Sequence, residues 1–560
     1  MASVSEEDSR PDFRFYAGKW IAVAGGRVIA QGGTPDQVRR SAAASRYKEK
    51  VHIMYVPTEN SIQFHPVVNR LKHIFALRDD IYLVGGVVRD GLLGKQSKDI
   101  DLVVPEKAIK TARMVADELG GAFFPLNEDF DAGRVVLKPD EGARLMIDVT
   151  ALRGPTLEED LLARDFTINA IAVPIADQDK LYDPLGGAGD LVSKRLRACS
   201  KNSMRDDPVR ILRGIRLAAN YKLMIDPDTR RLMRAAVSGL EQVSPERQRD
   251  ELFHILDGPQ PAVALRALDM LGALERLLPE MMALKGLQQS PPHDLDGFMH
   301  TLRVIQKLED LLDLLSKEGD PEAGAAGNLM DGLTVQKLGR YRQQIQNHLR
   351  KRINPDRDVR ALVFFGAAYH DIGKPQVQEQ DTTGRIRFFG HDAAGAEISA
   401  MRARALRLSN PEVNRLELIV RYHMRPLLLT NSGRPPSRRA IYRFFRDARE
   451  AGVDICLLSL ADFLGTYEMM PPQDLWAAHL DTIRSLLAGW WENDPVTINP
   501  RLFLDGNELI KNFGLAPGPL IGQILERLRE AQAIGVITSR AQAEVWVAEL
   551  LDQKKTTETN

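Results

Sequence analysis

The residues best suited to chemistry are two carboxylates, Asp99 and Asp101, at the start of an apolar segment. Successive side chains of a β-strand point to opposite faces, so both carboxylates would point to one side while Ile100 enters the core. Paired carboxylates on a rigid strand suit a pair of Mg²⁺ ions that activate a hydroxyl and hold a triphosphate. The dipeptide Gly85-Gly86 precedes a short helix, where absent side chains let phosphates approach backbone N–H groups. This order of elements predicts a nucleotide site.

A third carboxylate, Asp148, lies in the apolar segment Leu145–Val149, where a lone charge among apolar neighbours needs a reason. One interpretation is a third ligand for the same metal ions. An aspartate that faces water from an edge strand explains the residue equally well. The sequence alone leaves both interpretations open.

Arg164 and Asp165 precede the apolar segment 168–173, for which we predict a strand. An arginine at this place can hold a triphosphate while the aspartate fixes the loop or a sugar. A surface salt bridge accounts for the same pair when it is considered by itself.

A helix is predicted from Asp206, because acidic residues and an early proline are typical of a first helical turn. Arg210, Arg213 and Arg216 recur every three residues and share one face, which by itself is typical of a solvated surface. Asp207 adds an acceptor one turn before Arg210. Such a pair matches the amino donor and ring-nitrogen acceptor of cytosine or adenine, whereas guanine and uracil present the opposite polarity. It would therefore select CTP and ATP without a template.

Histidines and aspartates recur in the helical second half of the chain. The adjacent pair His370-Asp371 follows an apolar helix and can bind one metal ion from two directions. A single histidine in a helix is more often a core or surface residue, so the argument rests on the whole group. Its members are His300, His370, Asp371, His391, His423 and Asp462.

The elements needed to position these residues predict an α+β protein. A small ββαβ module precedes a mixed sheet with helices, and the rest of the chain is helical. We divide the chain into an accessory module at 1–60, a head with the nucleotide site at 65–198, a helical neck with the arginine face at 199–284, a histidine-rich helical domain at 285–470 and a helical tail at 471–560.

Composition places the chain among ordinary globular proteins. Its 560 residues are 44% hydrophobic and 27% charged, which agrees with roughly three or four domains. A net charge of −1 gives no global signal for nucleic acid, so any basic surface is local. Two cysteines, a polar and acidic start, and the absence of any apolar run near ~20 residues predict a reducing, cytoplasmic location.

Several motifs, in this order along the chain, resemble those of class II tRNA nucleotidyltransferases and bacterial poly(A) polymerases, within the polymerase-β-like nucleotidyltransferases. They are Leu83–Asp90, Lys98–Asp101, Arg164–Ala170, Asp183–Gly187, Asp206–Arg210 and Ser244–Arg247. The resemblance implies Mg²⁺ at Asp99 and Asp101, and with Asp148 these form the expected catalytic set. The expected nucleotide-binding set is Gly85, Gly86, Arg89, Asp90, Arg164, Asp165, Asn169, Asp207, Arg210, Arg213 and Arg216.

The implied activity is template-independent building or repair of the 3′ CCA end of tRNA from CTP and ATP. Poly(A) addition, or addition of only A or only CC, are the alternatives within this class. Two departures bear on nucleotide preference. Ala163-Arg164-Asp165 stands where the family usually has Arg-Arg-Asp, which removes one phosphate contact, and Asp206-Asp207 stands where it has Glu-Asp, which shortens one arm.

The histidine group resembles that of HD-type metal-dependent phosphohydrolases. The resemblance implies one divalent ion, of unspecified identity, at His300, His370, Asp371 and Asp462, with His391 and His423 holding a second ion or substrate phosphate. A phosphohydrolase acting on RNA ends or nucleotides is therefore the alternative function from another class, and a helical scaffold with a vestigial metal site is the third interpretation. Intact Asp99, Asp101 and Arg210 argue against an inactive head.

Overall fold

The computed structural model describes residues 16, 19–24, 27–44, 51–56, 62–137, 144–316, 329–354, 357–467, 471–492 and 498–558. The chain forms two compact units, Met1–Val243 and Ser244–Asn560. The boundary between them falls within the predicted segment 199–284. Among the described residues, no helix is both long and apolar enough to cross a membrane.

The first unit begins with the ββαβ module expected from the sequence. Its elements are β1 (Lys19–Ala24), β2 (Arg27–Gly32), α1 (Pro35–Ala44) and β3 (His52–Val56). Strand β1 pairs antiparallel with both other strands, which gives the order β2-β1-β3. Trp20 and Ala22 of β1 are buried together with Val38 of α1. The remaining parts of the predicted segment 1–60 lie outside the described residues.

A six-stranded mixed sheet with the order β6-β7-β8-β5-β4-β9 forms the head. Only β5 and β8 are parallel neighbours in it, and their central residues alternate between a buried apolar face and a polar face. The strands are β4 (Tyr82–Val84), β5 (Asp99–Val104), β6 (Ala122–Asn127), β7 (Ala132–Leu137), β8 (Leu145–Ala151) and β9 (Ala172–Pro174), accompanied by helices α2 (Val67–Ile74), α3 (Gly86–Leu92) and α4 (Ala108–Leu119).

The strand predicted at 168–173 is wrong in its first half. Thr167–Asn169 form a 3₁₀ turn, and only β9 at Ala172–Pro174 is extended. The carboxylate of Asp165 accepts hydrogen bonds from the Phe166 N–H at 2.7 Å and from Asn169 Nδ2 at 3.1 Å, which close this turn. Apolar content alone does not reveal such side-chain bonds.

The helix predicted from Asp206 begins instead at Arg210. Asp207 has φ −149° and ψ 94°, because a residue that precedes proline is disfavoured in the helical region. The remaining elements of the first unit are α5 (Leu157–Leu162), α6 (Gly187–Val192), α7 (Ser203–Asp206), α8 (Arg210–Tyr221), α9 (Pro227–Ala236), a 3₁₀ turn at Val237–Gln242, and the parallel pair β10 (Arg195–Leu196) and β11 (Met224–Ile225).

Among the described residues of the second unit, the regular elements are helices and two small antiparallel strand pairs. Helix α13 packs against α16 and α21, and the last two are buried on nearly every side, as expected of central helices. The helices are α10 (Pro245–Asp257), α11 (Pro261–Leu271), α12 (Leu274–Leu277), α13 (Gly297–Ser316), α14 (Leu329–Leu338), α15 (Arg342–Leu349), α16 (Val359–Tyr369), α17 (His391–Ala405), α18 (Asn410–Tyr422), α19 (Arg425–Asn431), α20 (Arg438–Ala448), α21 (Ala451–Thr466), α22 (Gln473–Trp491), α23 (Gly506–Phe513), α24 (Pro519–Ala533) and α25 (Arg540–Glu558). The strand pairs are β12 (Arg352–Asn354) with β13 (Arg357–Asp358), and β14 (Glu379–Gln380) with β15 (Ile386–Arg387).

Gly187 offers a direct test of packing in the first unit. A Cβ at this position would lie 1.9 Å from the carbonyl oxygen of Thr167, so the backbone itself must move. We expect Gly187→Ala to lower the free energy of unfolding by about 1–3 kcal/mol, the usual cost of overpacking. Urea unfolding measures this change. Gly332→Ala is the control, because among the described residues no atom outside its own helix lies within 4 Å of the added Cβ. An equal loss in both variants would contradict the contact.

Candidate functional site

The two carboxylates expected to bind metal lie where strand alternation predicts. Asp99 and Asp101 share one face of β5, and Ile100 between them is 1% exposed. Asp148 of the parallel strand β8 is in register with Asp101. Because β8 lies inside the sheet between β7 and β5, the interpretation of Asp148 as an edge-strand residue is wrong. Three carboxylates therefore share one face of two adjacent strands.

The electrostatics of this face suit a cation. Arg134 of β7 holds Asp148 through two bonds, from Nε at 2.7 Å and from Nη2 at 2.8 Å. Burial raises the pKa of Asp101 to about 6; Asp148 and Asp99 add repulsion, whereas Arg164 opposes the rise. Carboxylates that repel one another fit a divalent cation, which relieves the repulsion and prefers oxygen ligands.

The glycine turn lies against the same carboxylates. Gly85 has φ 75°, and a Cβ there would lie 3.0 Å from Asp101 Oδ2 and 3.4 Å from Arg164 Nη1. Gly86 begins helix α3 directly after it. Arg164 Nε donates to Asp160 Oδ2 at 3.0 Å, a partner that the sequence reasoning missed although its four-residue spacing was a usable signal. Gly85, Asp101 and Arg164 thus form one compact group.

A second group links residues that are far apart in sequence. Arg89 Nη1 donates to Asn169 Oδ1 at 2.7 Å, and Asn169 Nδ2 donates to Asp165 Oδ1. Arg213 Nη1 lies 3.3 Å from the other oxygen, Asp165 Oδ2. Burial opposes ionisation of Asp165, but Arg213 and the bonds from Asn169 and Phe166 hold its pKa below the usual value. These contacts of Asp165 hold the loop 165–169, which is one of the two roles that the sequence suggested for this residue.

Tyr221 belongs to the same network but was not predicted from the sequence. Its hydroxyl donates to Asp90 Oδ1 at 2.7 Å, and Arg89 donates to both oxygens of Asp90. The Arg89 guanidinium also lies 4.5 Å from the centre of the Tyr221 ring. Burial raises the pKa of Tyr221 to about 12, so it remains a hydrogen-bond donor. Its position at the end of the arginine-bearing helix was the available signal.

The structure brings together only in part the pair Asp207 and Arg210, which the sequence predicts to select the base. Arg210 Nε lies 3.9 Å from Asp207 Oδ2, whereas Arg213 and the half-buried Arg216 follow on the same helix α8. Arg210 is 8% exposed. Its Nη atoms donate to three backbone carbonyls, those of Ala163, Arg164 and Ser203. Arg210 therefore anchors the loop that carries Arg164, and its Nε is the part directed toward Asp207.

In the second unit, four predicted ligands converge from three segments: α13, the end of α16 and α21. His300 Nε2 lies 3.1 Å from Asp462 Oδ1 and 3.5 Å from Asp371 Oδ2. His370 Nε2 lies 3.2 Å from Asp371 Oδ2 and 3.6 Å from Asp462 Oδ1. Burial opposes ionisation of both aspartates, yet their histidine neighbours hold each pKa well below its usual value. His300, His370 and Asp371 are close enough for one ion to contact all three, and Asp462 lies beside the two histidines.

His391 and His423 extend this group around Asp371. Their Nε2 atoms are 3.3 Å apart and lie 3.5 and 3.9 Å from Asp371 Oδ1. The Nδ1 atoms of His370, His391 and His423 each lie 2.7–2.8 Å from a backbone carbonyl three residues earlier. A carbonyl at Nδ1 favours the tautomer in which Nε2 carries the free lone pair.

Two atoms of this group are buried without a hydrogen-bond partner among the described residues: His370 Nε2 and Asp371 Oδ2. Both atoms nevertheless have charged neighbours, since Asp371 Oδ2 lies 3.2 Å from His370 Nε2 and within ion-pair distance of Lys374. A buried ring nitrogen beside a buried carboxylate oxygen is a donor set that suits a divalent metal. Two sets of potential ligands overlap at Asp371. The first set is His300, His370 and Asp371, and the second is Asp371, His391 and His423.

Lys374 and His293 border this group and were missed from the sequence. Lys374 Nζ lies 2.6 Å from Asp371 Oδ2 and donates to Gln289 Oε1 at 2.7 Å. The ring of His293 packs edge-on to His300, with centroids 4.9 Å apart, and burial lowers the pKa of His293 to about 4. The signal for Lys374 was its place one helical turn after Asp371.

Comparison with known proteins identifies four matched regions. Residues 81–197 match the poly A polymerase head domain, 222–285 the probable RNA- and SrmB-binding site of polymerase A, and 297–464 the HD domain. Residues 13–59 match a family of unknown function. An A-adding tRNA nucleotidyltransferase of Deinococcus radiodurans is 32% identical over 471 residues, which cover 83% of this chain and 94% of the relative.

The chain belongs to the tRNA nucleotidyltransferase family. A CC-adding tRNA nucleotidyltransferase of Geobacter sulfurreducens is 31% identical over 83% of this chain and 91% of its own length. The structure of a Thermotoga maritima CCA-adding enzyme complexed with tRNA has a TM-score of 0.52 at 21% identity, covering 87% of this chain and 96% of that chain, and so shares the fold. The predicted family and α+β class of this nucleotidyltransferase are confirmed.

Proposed function

We propose that this tRNA nucleotidyltransferase builds or repairs the 3′ CCA end of tRNA from CTP and ATP without a template. The observation that carries the proposal is the group formed by Asp99, Asp101 and Asp148 on two adjacent strands, beside Arg164 and the glycine turn. A cluster of carboxylates with a perturbed pKa beside an arginine and a glycine turn is typical of a functional site, and its oxygen ligands suit phosphoryl chemistry.

The protein's own side chains have separable roles in this reaction. The 3′-hydroxyl of tRNA attacks the α-phosphate of the nucleotide, and pyrophosphate leaves. Asp99 and Asp101, with Asp148 behind them, would hold Mg²⁺, which when bound supplies a Lewis acid for the hydroxyl and the phosphates. Arg164, Arg213, Arg216 and Arg89 place positive charge along the triphosphate, with Asn169, Asp165 and Asp90 fixing their orientation.

Its relatives support tRNA as the acceptor. The proteins at 31–32% identity add A or CC to tRNA, and the solved Thermotoga maritima enzyme is complexed with tRNA. The region 222–285, which matches an RNA-binding family, supports the same acceptor and the predicted helical neck. These substrates favour the cytoplasm predicted from the sequence.

The proposal is tested with three RNAs, each incubated with CTP, ATP and Mg²⁺. They are tRNA lacking CCA, tRNA ending in CC, and an unrelated RNA. We expect CCA on the first, a single A on the second and little addition to the third. Products that stop at CC would identify a CC-adding enzyme. Products that form only on tRNA ending in CC would identify an A-adding enzyme. Long A tails on all three RNAs would identify a poly(A) polymerase.

Base selection by Asp207 gives a second measurable expectation. Removing its carboxylate in Asp207→Ala removes the acceptor that pairs with an exocyclic amino group. We expect the preference for CTP and ATP over UTP and GTP, measured as ratios of kcat/KM, to fall about 10- to 100-fold, the usual discrimination of one good polar pair. The exposed neighbour Asp206→Ala is the matched control. Equal preference in both variants would place base choice elsewhere.

A second activity is proposed for the histidine group. The clustering of buried histidine nitrogens and aspartate oxygens favours a divalent metal held by His300, His370, Asp371 and Asp462, with His391 and His423 beside it. Such a metal, when bound, supplies an activated water for phosphoester hydrolysis. Removal of terminal phosphates, or opening of 2′,3′-cyclic phosphates on damaged RNA, would deliver the free 3′-hydroxyl that the head requires.

A further inference from the structure

The N-terminal module, which matches a family of unknown function, shares one hydrophobic core with the head. Trp20 and Val38 of the module belong to the same buried cluster as Leu83 and Ile100, which lie on the strands beside the nucleotide site. Trp20 is 1% exposed. A module tethered only by a linker would keep its own separate core, so this one is built into the head.

The contact is made by an indole on a glycine. A Cβ added to Gly189 of helix α6 would lie 1.9 Å from Cζ2 and 2.4 Å from Cη2 of the Trp20 ring. No side chain other than hydrogen fits at this position unless the ring moves. The position of α6 is therefore coupled to the position of β1 in the module.

Helix α6 in turn fixes the turn that carries Asn169. Asp190 Oδ2 accepts a hydrogen bond from Thr167 Oγ1 at 2.6 Å and one from Arg197 Nε at 2.9 Å. Gly187 packs against the carbonyl of Thr167, the first residue of the 3₁₀ turn. Asn169, at the end of that turn, accepts the hydrogen bond from Arg89.

These contacts form an unbroken path from Trp20 through α6 and the 3₁₀ turn to Arg89. We infer that the N-terminal module positions the nucleotide-binding arginines of the head, and that Trp20 is a positioning residue for the incoming nucleotide. The inference rests on the proposed function, because it assigns the module to the nucleotide site of the same reaction. It gives residues 13–59 a role in nucleotide binding rather than in recruiting a partner.

Fluorine NMR reads this path directly. Trp20 is the only tryptophan before Val243 among five in the chain, so full-length protein labelled with 5-fluorotryptophan contains one reporter in the first unit. Trp20→Phe assigns its resonance. We expect the Trp20 resonance to shift when CTP or ATP is added to the wild-type protein, and to stay unmoved in Arg164→Met, which lacks the triphosphate contact.

Kinetics provide the second readout. We expect Trp20→Ala to raise KM for CTP and ATP about tenfold with kcat changed less than about twofold, the pattern of lost nucleotide binding rather than lost fold. Trp20→Phe keeps a ring against Gly189 and should recover part of the loss. Lys19→Ala, an exposed neighbour on the same strand, is the control and should match the wild type. Gly189→Ala, which displaces the ring without removing it, replaces Trp20→Ala if that variant does not fold.

The outcomes separate the inference from the function on which it rests. Suppose that calorimetry shows nucleotide binding to the wild-type protein, but the Trp20 resonance does not move and KM is unchanged in Trp20→Ala. That result would overturn the inference alone. Failure of the wild-type protein to bind CTP or ATP at all would overturn the proposed function and the inference together.

Discussion

Replacement of Asp101 by asparagine is expected to lower the rate of nucleotide addition to tRNA about 10³-fold, the scale of losing one preorganised electrostatic group in an active site. The amide is nearly isosteric with the carboxylate but carries no negative charge and is a poor ligand for Mg²⁺. Because burial and the neighbouring Asp99 and Asp148 already disfavour the charge on Asp101, the asparagine variant should fold normally. Single-turnover incorporation of labelled CTP measures the loss.

Glu106→Gln is the matched control for Asp101→Asn, since Glu106 follows the same strand but is exposed and paired with Lys107. Its rate of addition should equal that of the wild type. An Asp101→Asn protein that still adds nucleotides at a near-normal rate would remove the head carboxylates from the chemistry. That result would leave the second unit as the only candidate for catalysis.

Replacement of Asp371 by alanine is expected to weaken metal binding in the second unit strongly. Asp371 lies beside His300, His370, His391 and His423, so it belongs to both potential ligand sets. Loss of one shared ligand should lower metal affinity by at least about 10- to 100-fold, since even outer-shell changes have that effect. Titration with Mn²⁺, read by electron paramagnetic resonance, measures the loss without reference to activity.

The same variant separates the two activities. Hydrolysis of a 2′,3′-cyclic phosphate end should vanish in Asp371→Ala and persist in Asp101→Asn, while nucleotide addition should show the reverse. Glu397→Gln, an exposed carboxylate on the helix that begins at His391, is the control for both readouts. Unchanged metal binding in Asp371→Ala would support a scaffold in which the histidine group holds no ion.

The carboxylates of the head could be placed from sequence because their geometry is local. Asp99 and Asp101 needed only the alternation of a strand, and the glycine turn needed only its place before a helix. Asp148 could not be assigned in this way. Asp148 lies beside Asp101 because β5 and β8 pair in parallel. These strands are distant in sequence, and the spacing of residues does not predict which strands pair.

Other departures have equally specific causes. Asp207 is extended because Pro208 follows it, which delays the helix to Arg210. The contact of Tyr221 with Asp90 could not be predicted from the place of Tyr221 at the end of the arginine-bearing helix, because Asp90 lies on a different element. The role of Trp20 was hidden for the same reason: its partner is a glycine, a residue that offers no side-chain signal.

The central claim is that the protein itself, without a template, selects cytidine twice and adenosine once. Sequencing the 3′ ends of tRNA lacking CCA, after incubation with all four nucleotides and Mg²⁺, tests it most directly. We expect products that end in CCA and go no further. Ends containing G or U, or runs of A beyond the third nucleotide, would contradict it.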